Sequence, residues 1–193
     1  MRKSPSRQAF AALVAAGVAH ALPARAEDVP VPINLQAELL FMIAAQDKNL
    51  PERAGELVRV LVVVKPGEEA ARAAAQFKAA AAGKPKLAGL PHAEEVIQFS
   101  GAAALASTCK ARSASIIYLA PGFTGAEATA IGQALEGGNV LTASAEPGLV
   151  KKGVVLGFDL VAGRAKLLVD LTQAGKQRVS FSAEVLRLMA VSR

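Results

Sequence analysis

Three side chains near the middle of the sequence, His92, Glu94 and Glu95, are of the types that bind metal ions. They lie in the stretch GLPHAEE, and His92 is the only histidine after residue 26. A metal site needs three or four converging ligands, whereas adjacent residues on a strand point to opposite faces. We therefore predict that these residues form no metal site and that His92 is a solvated loop histidine.

Cys109 is the single cysteine of the chain, so an internal disulfide is excluded. It could be a reactive thiol or form an intermolecular bridge, but free cysteines are commonly buried, which favours a small apolar residue at a helix end. A nucleophilic pair of Cys109 and His92 lacks a third group to position it. The chain also lacks the G-x-S-x-G, G-x-x-x-x-G-K-[ST] and G-x-G-x-x-G motifs. The sequence predicts a protein that is not an enzyme and has no cofactor.

A ligand crevice is the remaining chemical candidate. Six residues follow or end predicted strands: Lys65, Ser100, Gly101, Pro121, Gly122 and Ser144. In an open parallel sheet, ligands bind outside the carboxyl ends of the strands, where a small acidic or zwitterionic molecule would fit. The alternative is that these glycines and prolines only turn the chain into its helices.

The crevice depends on an alternation of strands and helices. The predicted strands cover residues 57–64, 94–100, 114–120 and 139–144, and the predicted helices cover residues 33–49, 68–83, 101–113 and 124–138. The first of these strands is a near-continuous apolar run and the third, ASIIYLA, is also mostly apolar, which is typical of strands buried on both faces. With 52% hydrophobic but only 4% aromatic residues, alanine, leucine and valine must fill the core. The pattern predicts one α/β domain with a mainly parallel sheet and helices on both faces.

The C-terminal part of the sequence predicts a different unit. Two apolar runs, residues 153–161 and 165–171, flank the short connection AGR, in which Gly163 can take a positive φ. They predict a β-hairpin at an edge of the sheet. A closing helix is predicted to begin at Ser182, with an apolar stripe that covers the sheet and consists of Val185, Leu186 and Met189.

The N-terminal 26 residues have the pattern of a signal peptide. Basic residues come first, an apolar run follows, and Ala24 to Ala26 form an A-x-A cleavage signal. The alternative is a membrane anchor, but the run of about 14 apolar residues is shorter than the roughly 20 that span a bilayer. We expect cleavage after Ala26, a mature domain of residues 27–193, and no stable membrane insertion after cleavage.

Cleavage also changes the charge of the protein. The formal net charge is +6, and removal of four basic residues with the leader lowers it to +2. The mature part has no run of basic residues with interleaved aromatics. A nucleic-acid partner is therefore not expected.

Several segments resemble the YfiR family of small bacterial periplasmic proteins. The resemblance is carried by AELLFMI, VVVKPG, SIIYLA, VLTAS, GVVLGF, GRAKLLVDL and VSFSAEVLRLMAV, and it covers most of the mature chain. The chain departs from the family pattern at Asp170, where asparagine is usual, and at Arg178, where glycine is common. Only Gly153 stands where two consecutive glycines are usual, and the cysteine pairs of the family are absent.

The resemblance implies a regulatory function in the periplasm. It implies that the protein binds the periplasmic domain of an inner-membrane diguanylate cyclase and represses it, which lowers cyclic-di-GMP signalling and biofilm formation. Such a repressor must prefer the inactive state of its partner, and it needs no active site. The alternative is a periplasmic small-solute-binding protein that uses the strand-end crevice. The sequence leaves open whether the protein forms a homodimer.

Overall fold

The computed structural model describes residues 30–192. The predicted signal peptide, residues 1–26, and the predicted mature N-terminus at Glu27 lie outside the described residues. The strands are β1 (Val58–Val64), β2 (His92–Gln98), β3 (Ile116–Leu119), β4 (Leu141–Ser144), β5 (Leu156–Val161), β6 (Arg164–Asp170) and β7 (Met189–Ser192). The helices are α1 (Ile33–Ala44), α2 (Leu50–Ala54), α3 (Glu68–Ala82), α4 (Ala102–Ala111), α5 (Gly125–Ala134), α6 (Leu171–Lys176) and α7 (Ala183–Leu186), with a 3₁₀ helix at Pro147–Lys152.

The strands form one sheet in the order β2-β1-β3-β4-β5-β6-β7. β1 to β5 pair in parallel, β6 is antiparallel to β5, and β7 is parallel to β6. Helices α1 and α3 pack on one face, called here the first face, and α4 and α5 pack on the other, the second face. The predicted α/β fold, with a mainly parallel sheet between helices, is confirmed.

Residues 60–64 of β1 show why an apolar run becomes a central strand. Its alternate residues Val60 and Val62 lie in the core of the first face, whereas Leu61 and Val63 lie in the core of the second. A strand covered by helices on both faces has no position for a solvated side chain. The apolar run therefore places β1 at the centre of the three layers.

Two glycines allow the second face to close. The 3₁₀ helix follows β4 on this face and ends at Gly153, which has a φ of 107°. A Cβ on Gly153 would lie 2.5 Å from the carbonyl oxygen of Ala128 in α5, and a Cβ on Gly132 would lie 2.5 Å from the carbonyl oxygen of Gly153. Because only a hydrogen fits at both positions, the backbone of α5 rests directly on this turn.

The closing helix is shorter than the sequence predicted. Ser182 caps α7 by accepting a hydrogen bond from the N–H of Val185, but α7 ends after one turn. The chain then becomes β7, in which Met189 pairs with Leu167 and Val191 with Val169 of β6. The predicted helical position of Met189 is wrong because strand pairing with β6 buries that residue equally well. The edge of the sheet is thus β7 and not the predicted hairpin.

The hairpin itself turns through two residues. Ala162 and Gly163 have φ values of 51° and 75°, and Arg164 already pairs with Val161. Two consecutive positive φ angles characterise the type I′ turn, whose twist matches that of a hairpin. Arg164 therefore belongs to β6 rather than to the connection.

Two departures from the family pattern have local explanations. Asp170 is the N-cap of α6, and its carboxylate accepts a hydrogen bond of 2.9 Å from the N–H of Gln173. Asparagine would serve the same cap. Arg178 has a φ of 55°, which explains why glycine suits this position.

A buried ion pair fastens the chain between α1 and α2 to the C-terminal part. The carboxylate of Asp47 pairs with the guanidinium of Arg53, and both side chains are almost completely buried. The other Asp47 oxygen accepts a hydrogen bond of 2.9 Å from the N–H of Ser180, and the N–H of Lys48 donates to the carbonyl oxygen of Ser180 at 2.9 Å. Arg53 also donates to the side chain of Asn139 at 3.3 Å. Three segments that are distant in the sequence, around residues 47–53, 139 and 180, therefore meet at this ion pair.

Candidate functional site

The predicted ligand crevice lies at the carboxyl edge of the parallel strands. The structure places its residues as follows: Lys65 follows β1, Ser100 and Gly101 follow β2, Pro121 and Gly122 follow β3, and Ser144 ends β4. The chain passes from β1 to β2 through α3 on the first face and from β3 to β4 through α5 on the second. The loops after β1 and β3 therefore diverge, which is the arrangement that opens a crevice in folds of this type.

Lys65 points to the second face, where its charge is already paired. Its Nζ lies 3.0 Å and 3.2 Å from the two carboxylate oxygens of Glu127 and 6.0 Å from the centre of the Phe123 ring. Glu127 also completes a capping box with Thr124 at the start of α5. The hydrogen bond from the N–H of Thr124, followed by the contact with Lys65, lowers the pKa of the Glu127 carboxyl. Lys65 thus fastens the loop after β1 to α5 and is not a free cation for a ligand.

Gly122 and Ser144 are joined through a residue that the sequence did not single out. The N–H of Gly122 donates to a carboxylate oxygen of Glu146 at 2.6 Å, and the N–H of Glu146 donates to the hydroxyl of Ser144 at 3.0 Å. Ser144 is fully buried. Glu146 therefore holds the loops after β3 and β4 together, and the Ser144 hydroxyl lies inside the protein rather than in an open crevice.

Ser100 and Gly101 lie apart from the other predicted residues. Gly101 has a φ of 122° and precedes α4 without a side-chain cap. The contact between this loop and the loop after β3 is made by neighbouring aromatic rings, because Phe99 and Phe123 pack edge to face at 5.1 Å. The structure thus brings the six residues to one edge but divides them between two faces.

A cleft of about 410 Å³ opens on the first face at this edge. Of the six predicted residues, only Pro121 lines it. Its charged lining residues come from separate elements and were not predicted: Glu69 and Arg72 from α3, and Glu146 from the loop after β4. With carboxylates and a guanidinium in one cleft, the site offers partners for both the amino and the carboxylate group of a zwitterion.

A buried hydrogen-bond chain forms the floor of this cleft. The hydroxyl of Tyr118 donates to the side-chain oxygen of Gln36 at 2.8 Å, and the amide of Gln36 donates to the carbonyl oxygen of Val31 at 2.7 Å. Burial raises the pKa of the Tyr118 hydroxyl, so this residue stays neutral. The pair has a structural function, because it joins α1 to β3. The sequence carried one signal for it, a glutamine within the apolar stripe of the first helix.

His92 is neither solvated nor in a loop, so this prediction is wrong. It is the first residue of β2, and its ring packs edge to face on Phe41 at 4.9 Å. Its two ring nitrogens lie 2.5 Å from a carboxylate oxygen of Glu94 and 2.6 Å from the carbonyl oxygen of Lys84. Glu95 pairs instead with Arg112. Within residues 30–192, no group of three or more potential ligands is arranged to hold a metal ion.

Cys109 lies near the end of α4 in the core of the second face. Its side chain is buried, and burial raises the pKa of its thiol to about 12. His92 contacts Phe41, which belongs to the core of the first face. The sheet therefore stands between the two residues, and they do not form a nucleophilic pair.

In residues 30–192, none of the helices has the length and apolar character required to cross a membrane. The sequence from residue 34 to residue 189 matches the model of a protein family described as YfiR/HmsC-like. No curated protein matches the chain in sequence.

Solved structures are similar in fold. An ABC domain from Streptococcus pneumoniae in complex with L-Trp has 13% identity and a TM-score of 0.57, with 83% of this chain and 61% of that chain covered. A ligand-free, open substrate-binding protein with adhesive properties from Clostridium difficile has 12% identity and a TM-score of 0.60, with 86% and 61% covered. A conserved domain protein from Vibrio cholerae has 19% identity and a TM-score of 0.51, again with 86% and 61% covered. The chain therefore spans about three fifths of the length of these structures, and the likeness shows the fold alone.

Proposed function

The chain belongs to the YfiR/HmsC-like family of periplasmic regulatory proteins, and we propose that it represses a membrane diguanylate cyclase by binding the periplasmic domain of that enzyme. The observation that carries the proposal is the family match, which extends from α1 to the first residue of β7. Repression lowers the synthesis of cyclic-di-GMP inside the cell.

The chemistry of the described residues supports a protein that acts by binding. The candidate nucleophile Cys109 has a raised thiol pKa, and the candidate base His92 lies on the other face of the sheet. Lys65 and Glu127 at the carboxyl edge neutralise each other. A binding protein can nevertheless regulate an enzyme, provided that it binds the inactive conformation more tightly than the active one.

Deletion of the gene tests this function. We expect the deletion strain to contain more cyclic-di-GMP than the parent, and the full chain, but not a chain without residues 1–26, to restore the parental level. The shortened chain fails because the inner membrane separates it from its partner. A second deletion, in one of the membrane cyclases, should abolish the rise and identify the partner. An unchanged cyclic-di-GMP level in the first deletion strain would overturn the proposal.

The cleft on the first face supports a second candidate function, the binding of a small zwitterionic solute. Its lining combines Glu69, Arg72 and Glu146, and one solved structure of similar fold holds L-Trp. Calorimetric titration with L-Trp and with other free amino acids tests this function. Arg72→Ala should abolish any heat of binding that belongs to the cleft, whereas Arg59→Ala, on β1 and outside the cleft, should leave it unchanged.

A further inference from the structure

The two edges of the sheet differ in how they are protected. β2 forms one edge and carries Glu94 and Glu95, the second of which pairs with Arg112. Charged residues on an edge strand discourage pairing with another chain. β7 forms the other edge and contains only Met189, Ala190, Val191 and Ser192. An edge strand without charged side chains can pair with a strand from another chain. β7 therefore lacks the charges that discourage such pairing at β2.

Exposed apolar side chains accompany this unprotected edge. Val191 is 43% exposed, and Leu188, which directly precedes β7, is 74% exposed. Within residues 30–192, β7 pairs with β6 alone, so the backbone groups on its outer side have no strand partner. A strand added beside β7 would form hydrogen bonds with these backbone groups and cover the exposed apolar side chains.

A groove lies beside β7 on the second face, and we call it the β7 groove. It has a volume of about 420 Å³ and is lined by Pro147, Gly148, Val150, Lys151, Leu168, Ala190, Val191 and Ser192. Its wall is the 3₁₀ helix, which is seated on β5 because Gly157 has no side chain. A Cβ at Gly157 would lie 2.4 Å from a methyl carbon of Val150. The groove is therefore a fixed feature of the sheet and continues directly from the outer edge of β7.

One charge distinguishes the groove. Among residues 30–192, Lys151 is the only charged residue that lines the groove, and it forms no ion pair with any of the others. Lys151 is exposed, so a carboxylate on the occupant can reach its ammonium and form an ion pair. β7 itself carries no carboxylate, so no residue of this strand supplies a counter-charge to Lys151.

We infer that β7 and the β7 groove bind an extended segment of the regulated partner, which adds as a strand beside β7. The segment carries apolar side chains at alternate positions and an acidic residue that contacts Lys151. This inference rests on the proposed function, because it names the surface through which the same partner is bound.

The test measures binding of the full chain to the purified periplasmic domain of the cyclase identified by the double deletion. We expect Val191→Lys to weaken binding at least about tenfold, because it places a charge on the edge. Lys151→Glu should weaken it about fivefold or more, because it turns an attraction into a repulsion. The matched control is Val161→Lys, at a residue that is 47% exposed, ends β5 and does not line the groove. The control should bind like the unchanged chain.

Hydrogen exchange on the unchanged chain gives a second measurement that needs no variant. We expect the amides of residues 189–192 to exchange more slowly when the domain is bound. Full binding by Val191→Lys and Lys151→Glu, or protection confined to another surface, would overturn this inference and leave the proposed function intact. A dimer of the chain alone that Val191→Lys dissociates would show that a second copy occupies the edge, and it would also overturn the inference. If the domain does not bind at all, the proposed function fails and this inference fails with it.

Discussion

The buried pair of Asp47 and Arg53 should be one of the most sensitive points of the fold. The two side chains are 0% and 2% exposed, respectively. Asp47→Ala leaves the guanidinium of Arg53 in the interior without its counter-charge, and breaking a buried pair in this way costs about 3–5 kcal/mol. The substitution also removes the acceptor of the Ser180 N–H, which alone costs about 1–3 kcal/mol when the donor stays buried.

These two costs are not additive, because the same rearrangement around residue 47 can relieve both of them. We therefore expect the free energy of unfolding to fall by about 4 kcal/mol, close to the value for the broken pair. The whole stability of a domain is about 5–15 kcal/mol, so the variant should be marginally folded at 25 °C.

Urea unfolding of the purified protein, followed by circular dichroism, measures the change. The control is Glu95→Ala, which breaks the pair of Glu95 and Arg112, whose side chains are 50% and 44% exposed. An exposed pair contributes about 0–1 kcal/mol, so this variant should unfold near the midpoint of the unchanged protein. Equal losses in the two variants would refute the argument, because burial would then not govern the cost of losing a counter-charge.

Three further predictions concern single positions. Gly153→Ala should lower the free energy of unfolding by at least about 2 kcal/mol, because Gly153 has a positive φ and its backbone contacts α5. Gly148→Ala is the control: a Cβ there meets open space, so the change should be less than about 1 kcal/mol. Thermal unfolding compares the two variants. Cys109 should react slowly with a thiol reagent at pH 8, because a thiol with a pKa of about 12 is ionised there to about one part in ten thousand. It should react rapidly once urea unfolds the chain. Fast labelling of the folded protein would contradict the burial of this thiol. The pKa of Glu127 is lowered in the folded state, so its contribution to stability is present above its ordinary pKa of 4.5 and is lost as the pH falls through the lower folded value. Glu127→Gln should therefore reduce the fall in stability below about pH 4.5, and an unchanged acid profile would show that the Lys65 and Thr124 contacts do not act on it.

The central sheet could be predicted because each of its strands carries a local signal. In the strand before Lys65, residues 60–64 are all apolar, which excludes a solvated face there, and glycine or acidic residues mark where α3 begins. The C-terminal part could not be predicted in the same way. In SAEVLRLMAV, Val185 and Met189 fit a helical spacing, while Met189 and Val191 fit the alternation of a strand. Pairing with β6, which the local sequence does not encode, decides between the two.

The candidate site was predictable only in part. The strand ends that form the edge follow from the alternation of elements, so all six predicted residues lie there. Which of them face a cleft depends on side-chain pairing across the sheet. The charge of Lys65 is paired with Glu127, which lies 62 residues further along the chain, and the Ser144 hydroxyl is buried, where it accepts a hydrogen bond from the N–H of Glu146. A charged side chain is available to a ligand only when no neighbouring side chain in the fold pairs with it. For Lys65 that neighbour is distant in the sequence, so the sequence alone does not reveal the pairing.

The junction at Asp47 also constrains the order in which the chain can acquire its structure during synthesis. Asp47 and Ser180 are 133 positions apart, so the loop after α1 cannot reach its final contacts until nearly the whole chain has left the ribosome. Contacts over such a separation form slowly, because closing a long loop costs conformational entropy before the contact stabilises the fold. The junction between Asp47 and Ser180 should therefore form late in folding, after the strands and helices that lie between these two residues in the sequence.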